Sequence, residues 1–133
     1  MSLLKIGISS RALFDLVESH EIFKKSGIEE YSNYQKKNEN KPLEKGVAFD
    51  LVEKLLKMNN KKEQIVEVIL LSRNSSDTGL RIFNSIEKND LDISRAVFSG
   101  CESPFPYVDA LDIDLFLSAD VKDVKMAIEN NIA

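Results

Sequence analysis

"IVEVILLS", residues 65–72, is the stretch on which the fold turns. It is almost entirely β-branched residues and leucine. A strand with one wet face alternates apolar and polar residues, and this one does not. Such a run belongs to the interior of a parallel sheet whose two faces are both covered. Upstream, "LKIGI" at 4–8 is a second short buried strand. Downstream, "RAVFSG" (95–100) and "DIDLFLS" (112–118) are a third and a fourth.

Helical patterns fill the intervals. "LVESHEIFKKSG" ends in lysines and Gly27, a helix C-terminus signal. "IEEYSNYQKKN" follows, with Ile28, Tyr31 and Tyr34 at helical spacing. "VAFDLVEKLLKMNN" sets Leu51, Val52, Leu55 and Leu56 on one stripe. "SSDTGLRIFNSIEKND" reads as a serine-capped helix with Leu80, Phe83 and Ile86 inward. "ESPFPYVDALD" is a turn and a short helix. The last helix takes Asp120 as N-cap and Asp123 in its first turn, with Val121, Val124 and Ile128 as its apolar face. Alternating strands and helices predict an α/β, Rossmann-like three-layer fold with a mostly parallel sheet. The helical stretch 16–60 is longer than an ordinary crossover and is expected to be a cap-like insertion over the strand ends. A sheet that ends on a helix is expected to continue into another strand, so an open edge and a homo-oligomer are also expected.

Composition narrows the classes. The 133 residues suit one domain, with 43% hydrophobic and 30% charged residues. Eighteen basic against 22 acidic residues give −4, which argues against a nucleic-acid partner. No apolar run reaches membrane-spanning length. The default is a soluble cytoplasmic domain. Single Cys101 and His20 exclude an internal disulfide and paired-histidine zinc motifs.

Ligands of open parallel sheets sit beyond the carboxyl ends of the strands. The four ends here read Ser9-Ser10-Arg11, Ser72-Arg73-Asn74, Ser99-Gly100-Cys101 and Ser118-Ala119-Asp120. Hydroxyls, backbone N–H groups and arginines suit an anion. The segment "SRNSSDTG" is the best single cradle; with the end of the first strand it gives Ser9, Ser10, Arg11, Ser72, Arg73, Asn74 and Ser75 as candidate anion-binding residues. The alternative is that these serines only cap turns and helices. Cys101 reads as a small half-buried thiol. His20, in the charged "ESHE", reads as solvated or as a cap residue facing the crevice. Asp112 and Asp114 lie at the wrong end of their strand, and Asp120 alone is a poor magnesium site.

The phrases "ISSRALFDL", "NENKPLEKGVAFDLV", "VILLSRNSSDTGLRIFNSI", "LDISRAVFSG" and "DLFLSAD" resemble, in order, the cytosolic 5'-nucleotidase I family. The resemblance implies a haloacid dehalogenase-like fold and cytoplasmic, magnesium-dependent hydrolysis of nucleoside 5'-monophosphates such as AMP. It also implies that this chain corresponds to the amino-terminal half of a longer architecture, with the catalytic Asp-x-Asp pair in a second half. Superposing the halves through "ENKPL" puts Ser9 at the nucleophile's position and Arg11 at the acid/base position. The second motif falls near Leu71 and Ser72, the third near Ser103, and the fourth near Ser118 and Ala119. A phosphoaspartyl mechanism needs carboxylates and a metal at those places. The expectation is a non-catalytic half that binds no magnesium alone, takes a nucleoside monophosphate or phosphate, and pairs with a catalytic second half. Alternatives are a stand-alone nucleotide-binding module and an active magnesium-dependent phosphatase.

Overall fold

The computed structural model describes residues 3–74, 79–100 and 102–133. Four parallel strands form the main sheet: β1 (Leu4–Ser9), β4 (Val66–Ser72), β5 (Arg95–Phe98) and β6 (Leu115–Leu117). Their order is β5-β4-β1-β6. Ile6 pairs with both Val68 and Leu115, and Ile69 pairs with Arg95. Two two-residue strands, β2 (Phe14–Asp15) and β3 (Glu44–Lys45), make a separate antiparallel ladder. The helices are α1 (Ser10–Leu13), α2 (Val17–Lys37), α3 (Phe49–Leu56), α4 (Leu80–Lys88), α5 (Phe105–Ala110) and α6 (Val121–Glu129).

Strand β4 explains the layering. Val68 and Leu70 join one buried cluster with Ile6, Ile8, Phe49, Val52, Ile82 and Ile86, beneath α3 and α4. Ile69 and Leu71 join the other, with Val108, Ile113, Phe116 and Ala127, beneath α5 and α6. Each side chain of this kind contributes about 2 kcal/mol when fully buried. The expected Rossmann-like, mostly parallel α/β sheet is what the chain forms. Its first connections step outward from β1 to β4 to β5. The chain then returns to the far side of β1 as β6. This reversal places a topological switch point between β1 and β6, where parallel sheets open a crevice.

Several faces differ from the sequence expectation. On α4 the buried residues are Arg81, Ile82, Ser85 and Ile86, while Leu80 and Phe83 are exposed. On α6 they are Asp123 and Ala127, while Val121 and Ile128 are exposed. On α3 Phe49 and Val52 are buried and Leu51 is exposed. In each case hydrogen bonding or a one-residue rotation of the helix outweighs apolar spacing. Arg81 and Asp123 are held by partners described below. The fourth strand begins at Leu115 because Asp112 takes a left-handed turn (φ 52°) and Asp114 is spent on the backbone of Lys5. The N-cap of α4 is Gly79, and the serines expected there lie outside the described residues, as do Asp77 and Cys101.

The segment 16–43 leaves and rejoins the sheet domain between β2 and β3. It holds α2, which breaks at Gly27 (φ 87°) into arms 17–26 and 28–37. The glycine read as the end of one helix, with a second helical stretch after it, stands at the break between the two arms. By contrast α3 belongs to the sheet, through Phe49 and Val52. The returning backbone docks directly on α1: Gly46 N–H donates to Leu13 O and Ala48 N–H to Ala12 O, both at 2.9 Å. A Cβ at Gly46 would lie 2.5 Å from Ala12 O and 2.8 Å from Leu13 C, backbone atoms that cannot turn aside. Gly46→Ala is expected to destabilise the fold by about 2 kcal/mol, read as a lower urea midpoint.

Candidate functional site

A cavity of about 720 Å³ lies where the ends of β1, β4 and β5 and the start of α6 meet the two arms of α2. The sheet side contributes Ser10, Arg11, Arg73, Asn74, Gly100 and Asp120. The α2 side contributes His20, Phe23, Ile28, Tyr31 and Lys36 among others. Of the residues expected to hold an anion, Ser10, Arg11, Arg73 and Asn74 line this space, Ser9 and Ser72 do not, and Ser75 lies outside the described residues. Ser103 and Ser118, the positions of the third and fourth motifs in the resemblance, do not line it either.

The serines behind the lining have structural work. Ser9 Oγ caps α1 by accepting from Ala12 N–H at 3.2 Å and also takes Ala119 N–H at 3.4 Å. Ser118 Oγ accepts from Asp120 N–H at 3.0 Å. Ser103 Oγ accepts from Phe105 N–H and lies 3.3 Å from Asp123 Oδ1. Ser72, fully buried, accepts from both the backbone N–H and the side-chain amide of Asn74 at 3.2 Å. Its hydroxyl oxygen has only two lone pairs, so its proton goes to Ser10 Oγ, 3.1 Å away. The Ser10 proton is then free to face the cavity.

A hydrogen-bond chain continues from there into α2. Tyr31 donates its hydroxyl to Asn74 Oδ1, and Gln35 Nε2 donates to the Tyr31 oxygen at 3.2 Å. Gln35 Oε1 accepts from Arg81 Nη1 at 3.1 Å, and Arg81 Nε donates to Lys41 O at 3.0 Å. Gln35 and Arg81 are both buried. This chain fixes the second arm of α2 over the strand ends.

The two arginines are not equivalent. Arg73 Nη2 lies 2.7 Å from Asp123 Oδ1 and 3.9 Å from Asp120 Oδ2, so its charge is compensated. Arg11 has no ion-pair or hydrogen-bond partner among the described residues and is exposed. Its field reaches His20, whose pKa is lowered by burial first and then by the Arg11 and Lys24 cations. His20 also stacks on Phe23, with ring centroids 6.4 Å apart and planes 18° from parallel. It is therefore a crevice-facing residue, the second of the two sequence readings.

The whole chain, residues 1–133, matches the 5'-nucleotidase family. The chain belongs to that family. It is 32% identical to human cytosolic 5'-nucleotidase 1B (Homo sapiens) over 137 residues, covering 98% of this chain and 22% of that protein. It thus spans about a fifth of the length of the curated relative. No solved structure matches it significantly. Among the described residues, no helix is long and apolar enough to cross a membrane.

The donor set in this crevice can be tested against a magnesium ion. Magnesium takes several oxygen ligands, with carboxylates foremost. The cavity offers Asp120, whose Oδ1 already accepts from Lys122 and Asp123 N–H groups and whose Oδ2 faces Arg73. Glu29 lies on the α2 side. Arg11, without a carboxylate partner among the described residues, shares the same space and repels a dication. The described residues do not fit a magnesium ion.

The lowered pKa of His20 has a defined sign. The folded protein binds its proton less readily than the unfolded chain, so stability falls as pH drops through the ordinary value of 6.5. An NMR titration of the single imidazole is expected to give a midpoint below 6.5, moving back up in Arg11→Met.

Proposed function

We propose that this crevice binds a nucleoside 5'-monophosphate, with phosphate at Arg11, and that the chain does not itself cleave the phosphate ester. Arg11, unpartnered among the described residues and set at the switch point of a parallel sheet, carries this reading. Around it, the Ser10 hydroxyl and the exposed edge of His20 add donors suited to phosphate oxygens. The volume is right for a ligand of nucleotide size. Membership of the 5'-nucleotidase family and likeness to a relative named a cytosolic 5'-nucleotidase support the same ligand class and a cytoplasmic setting.

Phosphoryl transfer to Ser9 lacks support in the local chemistry. Its hydroxyl is an N-cap, no base touches it among the described residues, and the residue two positions on is an arginine, which does not act as an acid or base near neutrality. The reading is thus of a haloacid dehalogenase-like domain whose catalytic carboxylates are replaced and whose segment 16–43 acts as a small cap. Hydrolysis, with its magnesium, would fall to a second, carboxylate-bearing half.

Calorimetry with AMP is expected to show binding in the micromolar to millimolar range, and a phosphate-release assay to show no turnover with or without magnesium. Arg11→Ala is expected to weaken AMP binding by about tenfold with little loss of stability. Arg73→Ala is expected to do the reverse: it leaves Asp123 buried without its cation, costing about 2 kcal/mol of stability, and changes affinity less. If Arg73→Ala weakened AMP binding more than Arg11→Ala in folded protein, the assignment of the phosphate to Arg11 would be wrong.

A further inference from the structure

We propose that Phe23 is the seat of the nucleobase: the base of a bound nucleoside monophosphate lies against the cavity-facing side of the Phe23 ring. This rests on the nucleotide reading above and adds the residue that distinguishes a nucleotide from a bare sugar phosphate.

Phe23 sits on the first arm of α2 and lines the cavity while 39% exposed. A phenylalanine gains most by full burial, and this one is held open by two neighbours that orient it without covering it. Tyr31 meets it edge-on, with centroids 5.8 Å apart and planes at 82°. His20 lies nearly parallel beside it. Tyr31 is in turn bonded to Asn74 at the end of β4, so the aromatic group is anchored to the sheet across the crevice. Ile28 and Leu16 extend the same apolar wall. A flat, aromatic ligand part is the chemistry that such a wall accepts, because a π-face stacks on a ring without needing a fixed hydrogen-bond pattern.

Charge places the other end of the ligand. Arg11, without a partner among the described residues, is on the sheet side, and its field reaches His20 on α2. The cavity therefore offers an anion site and an aromatic plane on neighbouring parts of its lining. A nucleoside monophosphate carries both on one molecule. Asn33, on the same wall, makes no side-chain hydrogen bond among the described residues and offers an amide to the edge of a base.

The chain contains no tryptophan, so Phe23→Trp introduces a lone fluorophore at the seat. AMP is expected to quench its emission, while ribose 5-phosphate, which has the same phosphate and no base, is expected to bind without quenching. In calorimetry the parent chain should bind AMP about tenfold more tightly than ribose 5-phosphate. That ratio should fall to within about twofold in Phe23→Leu, which keeps an apolar side chain and loses the ring. Circular dichroism and a urea midpoint confirm that each variant is folded. Equal affinity of the parent chain for AMP and ribose 5-phosphate, or an undiminished ratio in folded Phe23→Leu, overturns the seat and leaves the phosphate site standing. Failure of both ligands to bind at millimolar concentration overturns the nucleotide reading, and the seat with it.

Discussion

Because β4 is buried on both faces, with Val68 and Leu70 on one side and Ile69 and Leu71 on the other, helices must cover both sides of the sheet. That requirement shapes the rest of the molecule. The chain has to lay α3 and α4 over one face and α5 and α6 over the other, so it must reverse direction at β1. The reversal opens the sheet at the end of β1, and the crevice follows from it. The residues that line this opening are set by the need to bury a single strand.

The strands were legible because their signal is local. "IVEVILLS" and "LKIGI" carry their burial in their own composition, and the four strand ends could be listed before any geometry was known. The helix faces were less legible. Apolar spacing favours Leu80, Phe83, Val121 and Ile128, but α4 and α6 bury Arg81, Ser85 and Asp123, whose hydrogen bonds reach elements distant in sequence. The β2–β3 ladder left no trace, since two residues per strand are too few to show a period. The cavity was half visible. Its sheet side followed from the strand-end rule, whereas the meeting of Phe23, His20 and Tyr31 with those ends depends on how 16–43 folds back. Gly27, with its preceding lysines, was the one local sign that this segment bends.

The two ways of reading a strand-end serine both have a place in the structure. Ser9, Ser72, Ser103 and Ser118 hold turns and helix starts. Ser10, tied to Ser72 yet facing the cavity, is the one whose proton remains for a ligand. The arginines divide in the same manner. Arg73 fastens α6 to the end of β4, while Arg11 has no partner among the described residues and lines the same cavity as the aromatic group.

The N-cap at Ser9 bears on how such a crevice changes over evolutionary time. Serine and aspartate cap helices about equally well, each accepting from the same backbone N–H. An aspartate at this position, where the family resemblance puts the nucleophile, would satisfy Ala12 N–H as Ser9 does. The architecture therefore exerts almost no selective pressure on which of the two residues stands there. The cap at the end of β1 thus leaves the choice between a neutral hydroxyl and a carboxylate largely free of the demands of folding.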